Sequence, residues 1–85
     1  MLATPPHLII EILSPDDETA DMLVKVADYL RFDVAHIWIA DPYTHTVQEA
    51  DHEGIRYCAG LVPETDLVGR VDFNDLFAQL DEATE

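Results

Sequence analysis

The run Leu8-Ile9-Ile10-Glu11-Ile12-Leu13 constrains this chain more than any other segment. Five of its six residues are large aliphatics and three of those are β-branched. A short continuous apolar run closed by Ser14-Pro15 reads as a strand covered on both faces. Glu11 is its only charged member. A carboxylate in such a strand is costly to desolvate unless it is paired, protonated or bound to a cation. The fold must therefore bring a compensating group to Glu11, and that group is the best pointer to chemistry.

The segments that follow define the rest of the architecture. Residues 1–7, with Pro5-Pro6, lead into the strand at 8–13. Ser14-Pro15-Asp16-Asp17-Glu18 combines turn and helix-start chemistry: an N-cap candidate, a proline and an acidic first turn. A helix is expected over about 19–31. At 100° per residue Met22, Leu23, Val26, Ala27, Tyr29 and Leu30 share one broad face, with Asp21, Asp28 and Arg31 opposite. Lys25 falls at the boundary, beside Met22 and Tyr29. His36-Ile37-Trp38-Ile39-Ala40 reads as a second strand, ended by Asp41-Pro42. The half-polar segments 46–50 and 55–59 predict an antiparallel hairpin with Gly54 in its turn. A short extended piece is expected near 67–71. Asp72 then caps a helix over about 73–81, striped by Phe73, Leu76, Phe77 and Leu80. Strand, helix, strand, hairpin and helix make an α/β domain with a mixed sheet.

Eighty-five residues allow one domain at most, with a modest core. Eighteen acids against four lysines and arginines give a formal net charge of −14. Such a field repels nucleic acid and anionic membranes, although a local basic spot is compatible with it, and it keeps a protein in solution. Cys58 stands alone, which excludes an intrachain disulfide or a cysteine-built zinc site and suits a reduced compartment. No signal peptide is recognisable, and no apolar stretch approaches the ~20 residues of a membrane span. A cytoplasmic protein is expected.

Glu11 and Lys25 are the sharpest candidate site pair. A helix that follows a strand packs back onto the sheet, so a residue at the helix boundary can face a carboxylate on the strand. A carboxylate with a lysine beside an apolar surface suits metal-assisted phosphodiester hydrolysis: the acid holds a divalent cation, and the lysine positions water or stabilises developing negative charge. An ordinary surface stripe fits the same residues, because Asp21, Lys25 and Asp28 lie at i, i+4 and i+7. Each such pair is worth about 0.3–0.5 kcal/mol. Asp16, Asp17, Glu18 and Asp21 lack the ligand spacing and glycine of a calcium loop, and read as capping and solvating residues. His7, His36, His45 and His52 show no metal-ligand spacing and read as scattered surface or hairpin positions. Trp38 reads as core.

The order of the pieces adds a resemblance. Pro6-His7-Leu8-Ile9-Ile10-Glu11-Ile12-Leu13-Ser14-Pro15 is followed by Asp21-x-x-x-Lys25-x-x-x-Tyr29 and then by Ile37-Trp38-Ile39-Ala40-Asp41-Pro42. Over roughly residues 5–80 the chain resembles the Uma family of restriction endonucleases, within the PD-(D/E)XK nuclease superfamily. That signature runs as E-V-L-S-P on a strand, D-x-x-x-K-x-x-x-Y on a helix, and Y-W-L-V-D-P. The resemblance implies a restriction-endonuclease-like mixed sheet with flanking helices. It makes Glu11 the acidic residue of the E-x-K strand, and a catalytic and Mg²⁺-binding one. Leu13 occupies the usual lysine position, and Lys25 becomes the migrated catalytic lysine. His7 stands where family members often carry Asp.

Family members are expected to use a second carboxylate from a preceding strand, which would lie upstream of Met1. The expectation is thus a single partial domain over 1–85, truncated at its N-terminal strands and weakly active or inactive by itself. One carboxylate makes a weak Mg²⁺ site, and an uncovered sheet edge invites pairing, for example a homodimer. DNA is the partner implied by resemblance, against the net charge. The alternative is a non-catalytic, self-associating interaction module derived from that fold.

Overall fold

The computed structural model describes residues 4–83. In order they form β1 (Leu8–Ile12), α1 (Thr19–Arg31), β2 (His36–Asp41), β3 (Thr46–Asp51), β4 (Gly54–Tyr57), a 3₁₀ turn (Ala59–Leu61), β5 (Glu64–Thr65), β6 (Gly69–Arg70) and α2 (Phe73–Ala83). The main sheet runs β1-β2-β3-β4. β1 joins β2 in parallel, with Leu8 opposite His36 and Ile12 opposite Ala40. β2–β3 and β3–β4 are antiparallel. The expected mixed sheet with flanking helices is what forms.

Alternation along β2 builds two cores. Ile37 and Ile39 pack with Val26, Val34 and Ala50, joined by Ile9, Leu13, Met22, Tyr29 and Leu30 on the α1 side. Trp38 and Ala40 turn the other way onto Val47, Phe73 and Phe77 beneath α2. Trp38 meets Phe73 edge-on at 6.2 Å, an aromatic pairing that adds to plain area burial. β2 is thus the strand covered on both faces. β1 was expected to be covered too, yet Ile10 and Ile12 are 43% and 45% exposed. Neither joins the core of Trp38, Ala40, Val47, Phe73 and Phe77 beneath α2, and among the described residues β1 is the terminal strand of the sheet.

α1 shows a related narrowing. Met22, Val26, Tyr29 and Leu30 reach the core, whereas Leu23 and Ala27 of the expected apolar face are exposed. Spacings of three and four residues fill the stripe that one sheet face can cover; the flanks of a broader face stay in water. The Ser14–Asp17 segment closes its own turn, with Ser14 N–H donating to Asp17 Oδ2 at 2.8 Å and Asp17 N–H to the Ser14 carbonyl at 3.1 Å. Glu18 occupies the N-cap instead, with no side-chain cap bond. At α2 the expected cap is present: Asn74 N–H donates to Asp72 Oδ1 at 2.9 Å.

The hairpin forms with His52-Glu53 as its turn and Gly54 just after it, opposite Asp51, at φ 141°, a conformation L side chains rarely adopt. Its second strand ends at Tyr57 rather than 59, because Ala59–Leu61 turns and Asn74 Nδ2 donates to the Gly60 carbonyl at 2.9 Å. The extended piece near 67–71 is instead half of a small antiparallel hairpin. β5 and β6 flank a turn in which the buried Thr65 hydroxyl accepts the Val68 N–H.

Candidate functional site

Odd-numbered residues of β1 face α1, and this decides the surroundings of Glu11. Ile9 and Leu13 enter the core on that side, and Glu11 between them points at the helix. Lys25 and Tyr29, one helical turn apart, look back at it. The Tyr29 hydroxyl donates to Glu11 Oε1 at 2.5 Å, and Lys25 Nζ stands 3.9 Å from Glu11 Oε2. The helix therefore supplies both compensating groups, one to each carboxylate oxygen. Glu11 keeps 23% of its side chain exposed and Lys25 58%, so the site is open to solvent.

Tyr29 is the member that sequence reasoning left out of the site. Its aromatic ring fits an apolar stripe, which is where periodicity alone puts it. The available signal was its i+4 spacing from Lys25, which stacks the two on one helix face. The hydrogen bond to Glu11, helped by burial and by the carboxylate charge, raises the Tyr29 phenol above the ordinary tyrosine range. The phenol is thereby held protonated, as a donor.

A cleft of roughly 20 Å³, room for about one water, opens between β1 and the start of α1. Glu11, Asp17, Glu18, Asp21 and Lys25 line it with Met22 and Val26 beneath. Among the described residues, no three His, Cys, Asp or Glu side chains come together closely enough to hold a metal ion. Glu11 alone offers a carboxylate with a built environment, and Mg²⁺ sites draw on several oxygens in near-octahedral geometry. The described residues of one copy therefore do not fit a resident Mg²⁺ by themselves.

The remaining candidates lie elsewhere. Asp51 and Arg56 form a two-point ion pair across the hairpin, at 2.7 and 3.3 Å. The guanidinium, with the Glu53 N–H, holds the Asp51 carboxyl down at about 2. Arg31 is paired with Asp28 at 3.0 Å. Three of the four Lys and Arg side chains are thus engaged with carboxylates, which leaves little basic surface. The histidines are less scattered than their spacing suggests. His7 and His36 meet edge-on at 4.9 Å across β1 and β2, and His45 stacks on Phe77 and lies 3.1 Å from Asp81. Burial pushes the Cys58 thiol up, away from reactivity. Among the described residues no helix is long and apolar enough to cross a membrane.

Comparison with known proteins adds to this geometry. The Uma2 family model, described as "Putative restriction endonuclease", matches residues 1–68. The fold superposes on the crystal structure of a "putative nuclease belonging to DUF820" from Anabaena variabilis with a TM-score of 0.75 at 21% identity. That match covers 92% of this chain but 47% of the Anabaena chain, so this chain spans about half the length of that relative. No curated protein matches. Restriction-endonuclease-like families generally use divalent metals.

Proposed function

The chain belongs to the Uma2 family of restriction-endonuclease-like proteins, and on that premise we propose that it carries the carboxylate–lysine part of a metal-dependent DNA endonuclease site. Glu11 is the acid through which a divalent cation would be held. Lys25 is the cation placed to stabilise negative charge developing on a phosphodiester. Tyr29 positions Glu11 by occupying one carboxylate oxygen, leaving the other turned toward Lys25 and the cleft. The observation that supports this most is the approach of Lys25 to Glu11 at 3.9 Å from a separate element. A charge stripe confined to the helix surface would not deliver the lysine to the strand.

Among the described residues Glu11 is the one carboxylate built into this site, so weak activity is expected of them by themselves. Nicking of supercoiled plasmid in Mn²⁺ or Mg²⁺, at micromolar protein, tests the reading. Slow, chelator-sensitive nicking that falls about 100-fold in both Glu11→Gln and Lys25→Ala is the expected result. Nicking that is absent throughout, or indifferent to both substitutions, would sink it.

A second reading, a non-catalytic self-associating module, draws support from the exposed Ile10 and Ile12 on an edge strand and from the shortage of basic surface. It predicts association that ignores divalent cations.

A further inference from the structure

Register across β2, β3 and β4 leaves part of one sheet face uncovered among the described residues. Ile39 stands opposite Gln48, Gln48 opposite Tyr57, and Ala50 opposite Ile55. Ile39 packs on the α1 side, so Gln48, Ile55 and Tyr57 share that face. The core beneath α1 ends at Ala50 of β3. Beyond it Ile55 and Tyr57 are 41% and 70% exposed, and Leu23 on the flank of α1 is 46% exposed. These three line an open groove of roughly 540 Å³, floored by Thr46 and Gln48. Two adjacent strands span about 10 Å, the spacing at which one helix lies beside another. Leu23, left outside the core by the broad apolar face of α1, thus borders a gap one helix wide.

One end of the groove is acidic. Leu13, Thr19, Met22 and Asp41 line both it and an adjoining hollow, to which Asp17 and Glu18 add their carboxylates. None of the four Lys and Arg residues lines either one. Lys25 turns to Glu11, Arg31 holds Asp28 and Arg56 holds Asp51. We propose that this groove receives an amphipathic helix from a partner protein. Its apolar stripe would lie on Leu23, Ile55 and Tyr57, and its lysines or arginines at the end marked by Asp17, Glu18 and Asp41. This goes beyond the nuclease reading and calls on none of Glu11, Lys25 and Tyr29.

Charge selects the occupant. A second copy would set −14 against −14, and nucleic acid would bring phosphates to an end that holds only acids. A basic helix is attracted by the same field. Seated antiparallel to α1, it would bring its last turn to the acidic end, where its cations also complement its own dipole. A helix fits because the gap is a sheet face rather than a strand edge. The groove lies between α1 and β4, at the far end of the sheet from β1. A strand added beyond β1 would not enter it.

The probe is a synthetic peptide of about 15 residues, long enough to begin to hold a helix. It carries leucines at i, i+3, i+4 and i+7 and lysines in its last turn. A scrambled peptide of the same composition has no apolar stripe. Fluorescence anisotropy with the full chain at physiological salt should show micromolar binding of the first, and binding about tenfold or more weaker for the second. Leu23→Lys and, as a second variant, Tyr57→Lys should each weaken binding about tenfold or more. Val24→Lys adds the same charge one residue away, at a position that is 61% exposed and lines no part of the groove, and should leave binding unchanged. Glu18→Gln, which removes no side-chain cap bond, should weaken it about threefold. Unchanged circular dichroism checks that each variant folds. No binding, equal binding of the scrambled peptide, or binding that survives both groove variants would each overturn the proposal. So would a loss as large in Val24→Lys as in Leu23→Lys, which would mark bulk charge as the cause. A dimer in sedimentation that Leu23→Lys and Tyr57→Lys dissolve would put a second copy in the groove and overturn it too. None of these outcomes bears on Glu11-dependent nicking, so the two readings stand or fall separately.

Discussion

The hairpin side of the sheet and the β1 side each hold an ion pair, and the two are built on opposite lines. Asp51 and Arg56 meet at two points, 2.7 and 3.3 Å, and Asp51 also accepts the Glu53 N–H at the turn. That carboxylate is saturated by its neighbours. Glu11 has one oxygen taken by Tyr29, while its other oxygen has a lysine standing off at 3.9 Å beside an acidic cleft. The first pair fixes a turn. The second leaves a carboxylate oriented but unsaturated, which is the state a ligand-binding acid requires. Arginine suits the first role through its rigid fork, and lysine the second as a mobile point charge.

The largest effect that would sharpen this contrast is on cleavage. Lys25→Ala and Glu11→Gln should each lower DNA nicking about 100-fold while changing stability by less than about 1 kcal/mol. Arg56→Ala should leave nicking unaltered. If Arg56→Ala lowered nicking equally, the division between the two pairs would fail.

Next comes stability at the hairpin. Asp51→Ala should cost about 1–2 kcal/mol in urea unfolding, since it strands Arg56 and removes the acceptor at the turn. A cost no larger than that of Glu11→Gln would erase the distinction.

The acid limb gives a smaller, signed test. The folded Asp51 carboxyl is held at about 2, below its ordinary 3.8. The stabilisation is therefore complete above the unfolded value, and is lost as pH falls through about 2. About 1 kcal/mol is expected, after discounting for solvent at the half-exposed Arg56. Unfolding between pH 5 and 2 should show it, and Asp51→Asn should flatten it.

Tyr29→Phe is the mildest change. Loss of the hydroxyl bond should cost about 1 kcal/mol or less. The wild-type phenol, raised by Glu11, contributes stability that is present below the ordinary 10.0 and lost as pH rises through the raised value. Ultraviolet titration should show a tyrosine ionising above the ordinary range, and Tyr29→Phe should abolish that step.

Much of the fold was legible because it depends on local patterning. The two apolar runs, the amphipathic helix between them, the hairpin around Gly54 and the Asp72 cap all state their preferences within a few residues. The β5–β6 hairpin was not, because four strand residues around a turn carry too short a pattern. At the site, the approach of Lys25 to Glu11 followed from the order of strand and helix. The hydroxyl bond of Tyr29 did not, since an aromatic ring on an apolar stripe reads the same whether its tip is bonded or free.

The sequence by itself determined which residues are apolar on which face, the order of the elements, and the family to which the chain belongs. Only the tertiary structure decided that Ile10 and Ile12 stand half in water. It also decided that Glu11 is compensated from two directions by one helix. The reason is physical: periodicity records how each segment wishes to be covered, whereas the cover comes from residues distant in the chain, and its extent is set by where they stop.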